Sequence, residues 1–143
     1  MACGTGRHPA TQLCLQALEK YVQPGAAALD VGTGSGILAQ AALLLGAGRV
    51  AACDIDSEAV NVARQRPGLP LFVGSAHAVR SSSVDLITAN IDSAALESLA
   101  SELERVRKPG GTLILSGFPE MDPPEGFHPV ELLRRGEWLC LIC

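Results

Sequence analysis

The run Leu29-Asp30-Val31-Gly32-Thr33-Gly34-Ser35-Gly36-Ile37-Leu38 carries an apolar strand through a carboxylate and three alternating glycines straight into a helix. No other stretch of the chain restricts its fold so much. Glycines at every second position let the backbone turn with positive φ and come close to a bound molecule, and a helix opening at Gly36 turns free N–H groups toward it. A second carboxylate, Asp54, closes the next apolar run, Val50-Ala51-Ala52-Cys53. An acid at the end of the second strand, about 20 residues on, is placed to accept hydrogen bonds from a ribose diol.

The glycine spacing narrows the class of ligand. A dinucleotide fingerprint, G-x-G-x-x-G, needs its third glycine at position 37, and Ile37 stands there. That third glycine allows close helix–strand packing beside a pyrophosphate, and Asp30 is badly matched to such a dianion. An ammonium group suits Asp30 better. A cofactor with a cationic amino-acid end and a ribosyl-adenine end satisfies both carboxylates, and S-adenosylmethionine has that shape. Asp30, Gly32, Thr33, Gly34, Gly36 and Asp54 are the candidate cofactor-binding residues on these grounds. A plain strand–turn–helix whose glycines serve only the turn is one alternative. A small nicotinamide-dependent oxidoreductase is another, disfavoured by Ile37.

Composition sets the remaining bounds. At 143 residues the chain is read as one domain, 1–143. Apolar residues make up 48%, yet only three Phe, one Tyr and one Trp occur, so Ala, Val, Leu and Ile must fill the core. Such a core suits a parallel sheet covered by helices. A net charge of −4 with scattered basic residues argues against a nucleic-acid partner. The five cysteines, odd in number and mostly inside apolar segments, read as reduced thiols in a cytoplasmic protein. Cys140 and Cys143 form a C-x-x-C in an apolar strand with no second ligand pair nearby, so no metal site is expected. Neither a secretory leader nor a bilayer-spanning run is expected either.

Along the chain, strand-like and helix-like runs alternate, the signature of βαβ units. Helices are predicted over 10–21, 36–45, 57–66 with Ser57 as N-cap, and 94–107. Strands are predicted over 27–31, 49–54, 71–73, 84–89 and 112–116, with Lys108-Pro109-Gly110-Gly111 ending the last helix. Residues 119–129 hold four prolines and read as loop. Strands at 130–133 and 138–142 then flank a turn at 134–137. The predicted fold class is α/β, a doubly wound, mostly parallel Rossmann-like sheet with a C-terminal antiparallel hairpin.

In this order the pieces resemble the class I S-adenosylmethionine-dependent methyltransferases, and among them the ribosomal protein L11 methyltransferase family. Met1-Ala2-Cys3-Gly4-Thr5-Gly6-Arg7-His8-Pro9-Ala10-Thr11 is similar to the family's M-A-F-G-T-G-x-H-x-T-T opening. Residues 30–38 match its D-x-G-x-G-S-G-I-L loop. Asp54-Ile55-Asp56, Ala89-Asn90-Ile91, Ser116-Gly117 and Glu137-Trp138 match its D-I-D, A-N-I, S-G and E-W. The family carries a separate N-terminal substrate domain, so the expectation is a catalytic core without it. Cys3 replaces the Phe of the opening, and Asp92 follows A-N-I where the family has an apolar residue, placing a carboxylate near the acceptor mouth. The segment 117–127 is too short and proline-rich for the usual last helix. One flank of the sheet is therefore expected bare, open to a second copy or a partner chain.

The resemblance implies further roles. Thr5 and Thr11 would lie near the methionine part of the cofactor, Ile55 would pack on adenine, and Gly4-Thr5-Gly6 would form a lid. His8 is expected in a loop or lid rather than as a base. Asn90 would sit beside the sulfonium, where its amide and the backbone carbonyl of Ile91 accept hydrogen bonds from an amine and aim its lone pair at the methyl group. Asn90 and Ile91 are thus the candidate catalytic pair. N-methylation of an amine on a protein, L11-like, or on a small molecule is the expected reaction, with a non-catalytic S-adenosylmethionine-binding subunit or degenerate homologue as the alternative.

Overall fold

In a computed structural model, which describes residues 7–143, the elements are α1 (Pro9–Tyr21), β1 (Ala27–Val31), α2 (Ile37–Leu44), β2 (Arg49–Asp54), α3 (Ser57–Ala63), β3 (Leu71–Val73), β4 (Val84–Asn90), α4 (Ser93–Val106), β5 (Arg107–Pro119), β6 (Glu131–Arg135) and β7 (Trp138–Ile142). A short 3-10 turn, Ala76–Ala78, separates β3 from β4. The strands form one sheet in the order β3-β2-β1-β4-β5-β7-β6. The first five run parallel, and β7 lies antiparallel to both β5 and β6. The expected α/β class and C-terminal hairpin are both present. Strand order reverses direction between β1 and β4, and in such sheets ligands bind outside the carboxyl ends of the strands at that point.

Alternate residues of the central strands feed two cores. Leu86, Ile114, Cys140 and Ile142 pack with α1 and α2 through Leu13, Leu18, Leu38 and Ala42. Their neighbours Ile87, Leu113, Leu115, Leu139 and Leu141 pack on the other face with Leu96, Leu103 and Val106 of α4. Small side chains from β1 and β2, such as Ala28 and Ala52, let the helices sit close to the sheet. Among the described residues no helix is long and apolar enough to cross a membrane.

Capping chemistry moves several boundaries. α1 starts at Pro9, because proline fits the first helical position and the His8 ring nitrogen Nδ1 accepts from the Ala10 N–H at 3.1 Å. The expected N-cap of α3, Ser57, is instead its first residue. Asp56 caps the helix by accepting from Glu58 N at 2.9 Å, and the helix ends at Ala63, short of Pro67. α4 likewise begins at Ser93 under an Asp92 cap, with Ala95 N donating at 2.8 Å.

The strands differ from expectation as well. The Lys108-Pro109-Gly110-Gly111 turn is an excursion within β5, since Arg107 pairs with Val84 and the register resumes at Thr112 opposite Leu86. The final hairpin turns on Gly136 and Glu137 alone, with Arg135 paired to Trp138 and Gly136 at φ 60°. The flank expected bare is partly covered. Glu125 N of the proline-rich loop donates to Glu97 of α4 at 2.7 Å, Pro124 is buried, and Phe127 packs against the core. Met121, Val130 and Leu132 remain exposed nearby.

Candidate functional site

The glycine run emerges from β1 at the reversal point, with Gly32, Gly34 and Gly36 at φ 72°, 55° and 86°. These are conformations that side chains with a Cβ resist. The end of β2 holds the loop. Gly32 N and Thr33 N both donate to the Cys53 carbonyl at 2.9 Å, and Gly34 N donates to Asp54 Oδ2 at 3.0 Å. Asp54 Oδ1 takes the Asp56 N–H at 3.0 Å, so the carboxylate ties two loops together. Each of its oxygens keeps a lone pair for another donor. Ile55 beside it is 82% exposed, which excludes the core role that an isoleucine after a strand would ordinarily have.

Asp30 is the reverse case, only 2% exposed beneath the glycine loop. Its Oδ2 accepts from the Thr33 hydroxyl and its Oδ1 from the Thr88 hydroxyl, both at 2.7 Å. Thr88 is a site residue that sequence reasoning misses. Its signal is the register, which sets it directly across from Asp30. Burial pushes the Asp30 carboxyl up to about 6; the two hydroxyls pull it down, and the Asp54 charge raises it again. Cationic charge brought to this spot would stabilise its ionised form.

On the other side of the reversal, β4 ends in Asn90. Its Nδ2 donates to Thr11 Oγ1 of α1 at 3.2 Å, while its Oδ1 is buried with no hydrogen-bond partner among the described residues. Ser93 Oγ, three residues on, is in the same condition. Buried polar oxygens are nearly always paired in native proteins, so such orphans call for a ligand donor. Ile91 lies between glycines. A Cβ on Gly32 would overlap its Cγ2, and one on Gly117, at φ 102°, would stand 2.5 Å from its carbonyl oxygen and 2.6 Å from its nitrogen. Ile91 N donates to the Ser116 carbonyl at 2.9 Å, and Ser116 Oγ is fixed in turn on the Leu139 carbonyl at 2.6 Å. The Ile91 backbone is thereby pressed against β5, and Gly117 is what permits it. The sequence offers Gly117 only as part of a motif.

The structure thus gathers Thr11, Asp30, Gly32, Thr33, Gly34, Gly36, Asp54, Ile55, Asn90 and Ile91 around the carboxyl ends of β1, β2 and β4. Thr5 and the Gly4-Thr5-Gly6 lid lie outside the described residues. Asp92 follows Ile91 as an exposed helix cap, one of its oxygens taken by Ala95 N, and His8, in the bend before α1, caps that helix with its ring edge-to-face on Trp138 at 4.5 Å. Two other cavities, of about 450 and 490 Å³, open at the amino ends of the strands, away from these residues.

The donor set suits a ligand that is cationic at one end and carries a ribose at the other. Asp30 is an enclosed carboxylate, Asp54 has acceptor capacity left, Ile55 offers bare apolar surface, and the Asn90 oxygen awaits a donor. The family model described as ribosomal protein L11 methyltransferase (PrmA) matches residues 1–143. Among curated proteins, the ribosomal protein L11 methyltransferase of Desulfosudis oleivorans is 41% identical over 99% of this chain and 53% of its own length. That of Geobacter metallireducens is 44% identical over 99% and 51%. The chain therefore spans about half the length of the curated relatives it matches. Among solved structures, a ribosomal protein L11 methylase from Lactobacillus delbrueckii subsp. bulgaricus superimposes with a TM-score of 0.87 at 33% identity, covering 96% of this chain and 79% of the other. An Aquifex aeolicus protein described as a SAM-dependent methyltransferase shares the fold, with a TM-score of 0.69 at 20% identity.

Proposed function

The chain belongs to the ribosomal protein L11 methyltransferase family, and from that premise we propose that it binds S-adenosylmethionine at the ends of β1, β2 and β4 and methylates an amine of a protein, ribosomal protein L11 being the first candidate. The buried Oδ1 of Asn90, unpartnered among the described residues, is the observation that carries this reading. In its bound place the cofactor would supply a methyl group on a positively charged sulfur. Asp30 would face the ammonium of its methionine end, and the glycine loop with Thr33 would line the chain between. Asp54 would accept from the ribose hydroxyls while Ile55 covers the adenine.

Methyl transfer to an amine requires a neutral nitrogen whose lone pair lies in line with the breaking bond. The chain's part is alignment and exclusion of water. Asn90 Oδ1 accepts one N–H of the amine, and the Ile91 carbonyl, held in place by Gly117, accepts a second. With both donors engaged, the lone pair is left pointing along the remaining direction. Asn90 is a positioning group here, since an amide has no proton-accepting pKa near neutrality. The exposed Val130 and Leu132 at the β6 edge offer ground for a partner chain or a second copy. Free buried thiols at Cys14, Cys53 and Cys140 accord with the cytoplasm.

The test uses calorimetry with S-adenosylmethionine and transfer of labelled methyl to purified L11. Asp54→Ala should abolish detectable binding, and near-normal affinity would remove the ribose assignment. Asn90→Ala should keep affinity within about three-fold yet lose turnover by roughly 100-fold, the scale of a misplaced nucleophile. Unchanged turnover would reduce Asn90 to a scaffold residue. Binding without transfer to any acceptor in the wild-type protein would favour the non-catalytic alternative.

A further inference from the structure

The sequence pattern predicts position 66 as the end of a helix, but α3 stops at Ala63 and Arg66 turns back, half-buried, toward the glycine loop. Its Nε donates to the Ser35 carbonyl at 2.7 Å and its Nη1 to Gln40 Oε1 of α2 at 3.0 Å. The planar guanidinium serves both acceptors at once, which a lysine ammonium on a single stem does not match. The side chain passes over Gly36, where a Cβ would stand 3.2 Å from Arg66 Cδ. The third glycine of the loop suits its φ of 86°, and a Cβ there would also crowd Leu69, Ala63 and this arm at 3.1–3.2 Å.

One peptide plane is held at both ends by this arrangement. The Ser35 carbonyl is bound by Arg66, and the Gly36 N–H of the same plane donates to the Thr33 carbonyl at 2.9 Å. Among the described residues, other bonds on the loop come from the end of β2, through Cys53 and Asp54, and from β1, where Asp30 accepts the Thr33 hydroxyl. Arg66 adds a restraint from the α3–β3 turn at the point where the loop becomes α2. A loop with three glycines has much conformational freedom to lose when it closes on a ligand. Restraining it beforehand lowers that cost and so raises affinity.

We propose that Arg66 is a positioning residue for the cofactor site: by gripping the Ser35 carbonyl across Gly36 it preorganises the glycine loop for binding. The proposal rests on reading that loop as the S-adenosylmethionine cradle. Amide hydrogen exchange of the ligand-free protein and calorimetry with S-adenosylmethionine, made on Arg66→Ala, Arg66→Lys and the wild type, separate the two. Arg66→Ala should speed exchange in the peptide spanning 32–38 about ten-fold while peptides from α1 and β4 keep their protection, as local rather than global opening requires. Its cofactor affinity should fall about ten-fold, with Arg66→Lys recovering part of the loss by keeping one of the two hydrogen bonds. Loop exchange and affinity within two-fold of wild type in Arg66→Ala would overturn the proposal. Faster exchange in every peptide together would overturn it too, since Arg66 would then serve the whole fold. A wild-type protein that binds no S-adenosylmethionine would sink the cofactor reading and leave the exchange comparison standing as its own test of the grip on the loop.

Discussion

Carboxylates at the two ends of the parallel strands are treated in opposite ways. At the amino end, Asp85 of β4 accepts the Ala27 N–H at 2.9 Å, faces Lys108 at 3.5 Å and stays close to half-exposed. That backbone bond and the nearby cations hold its carboxyl below the usual range. At the carboxyl end, Asp30 is enclosed with hydroxyls for partners, and burial drives its carboxyl upward. One acid contributes to the fold, and the other burdens it. Orphaned oxygens on Asn90 and Ser93 and the backbone pressed against Gly117 add to the load at the same rim. Such costs persist where a ligand recovers them.

Two glycines of β5 give the sharpest way to break this comparison. Gly110, near the amino end, has φ 80° and open space where a Cβ would stand, whereas Gly117 has φ 102° and the Ile91 backbone in that space. Gly110→Ala should cost about 1–2 kcal/mol from left-handed strain alone. Gly117→Ala adds overpacking against backbone and should cost about 3 kcal/mol or more. Urea denaturation of both variants supplies the two values. Equal losses would mean that the carboxyl-end rim carries no special constraint.

Asp30→Asn tests the buried charge. With a folded pKa of about 6 against an ordinary value of 3.8, Asp30 keeps its proton in the folded state over a range where the unfolded chain has lost it. Stability from this group therefore falls as pH rises from about 4 to 6, by an amount on the order of 3 kcal/mol, and stays low above that. The asparagine variant lacks this slope. Relative to wild type it should become progressively more stable between about pH 4 and 6.5, while its affinity for S-adenosylmethionine drops. A constant difference in denaturation midpoint across that range would refute the assignment. Gained stability with unchanged affinity would mean that the burial serves no ligand.

How far the sequence reaches follows the same division. Glycine spacing, the acids at strand ends and the period-two apolar runs are local signals, and they specify the strands, the switch point and the two carboxylates. Gly117 against Ile91, Thr88 on Asp30 and the Asn90–Thr11 bond join residues far apart in the chain, so they exist only once the sheet has its register. Asp92 shows how local chemistry adds a role. A carboxylate after A-N-I reads as charge at a binding mouth, and one of its oxygens also caps α4. Asp56 displaces Ser57 as the expected cap of α3, because an Asp one position earlier already meets the free N–H groups of the helix.

The smallest expected effect lies at the amino end, with Asp85→Asn. An asparagine oxygen can still accept the Ala27 N–H, so what is lost is attraction to Lys108 and Arg49 across exposed ground. Pairs in such surroundings are worth under about 1 kcal/mol, and less as salt rises. Because the folded pKa of Asp85 is depressed, its contribution is present above the unfolded pKa and disappears as pH falls through the folded one, the opposite sign to Asp30. Denaturation of Asp85→Asn at neutral pH, in low and high salt, should therefore show a slight loss that salt erases, with S-adenosylmethionine affinity untouched. A large loss, or one that follows cofactor affinity, would mean that the two ends of the sheet are coupled and that the amino-end acid also bears on the site.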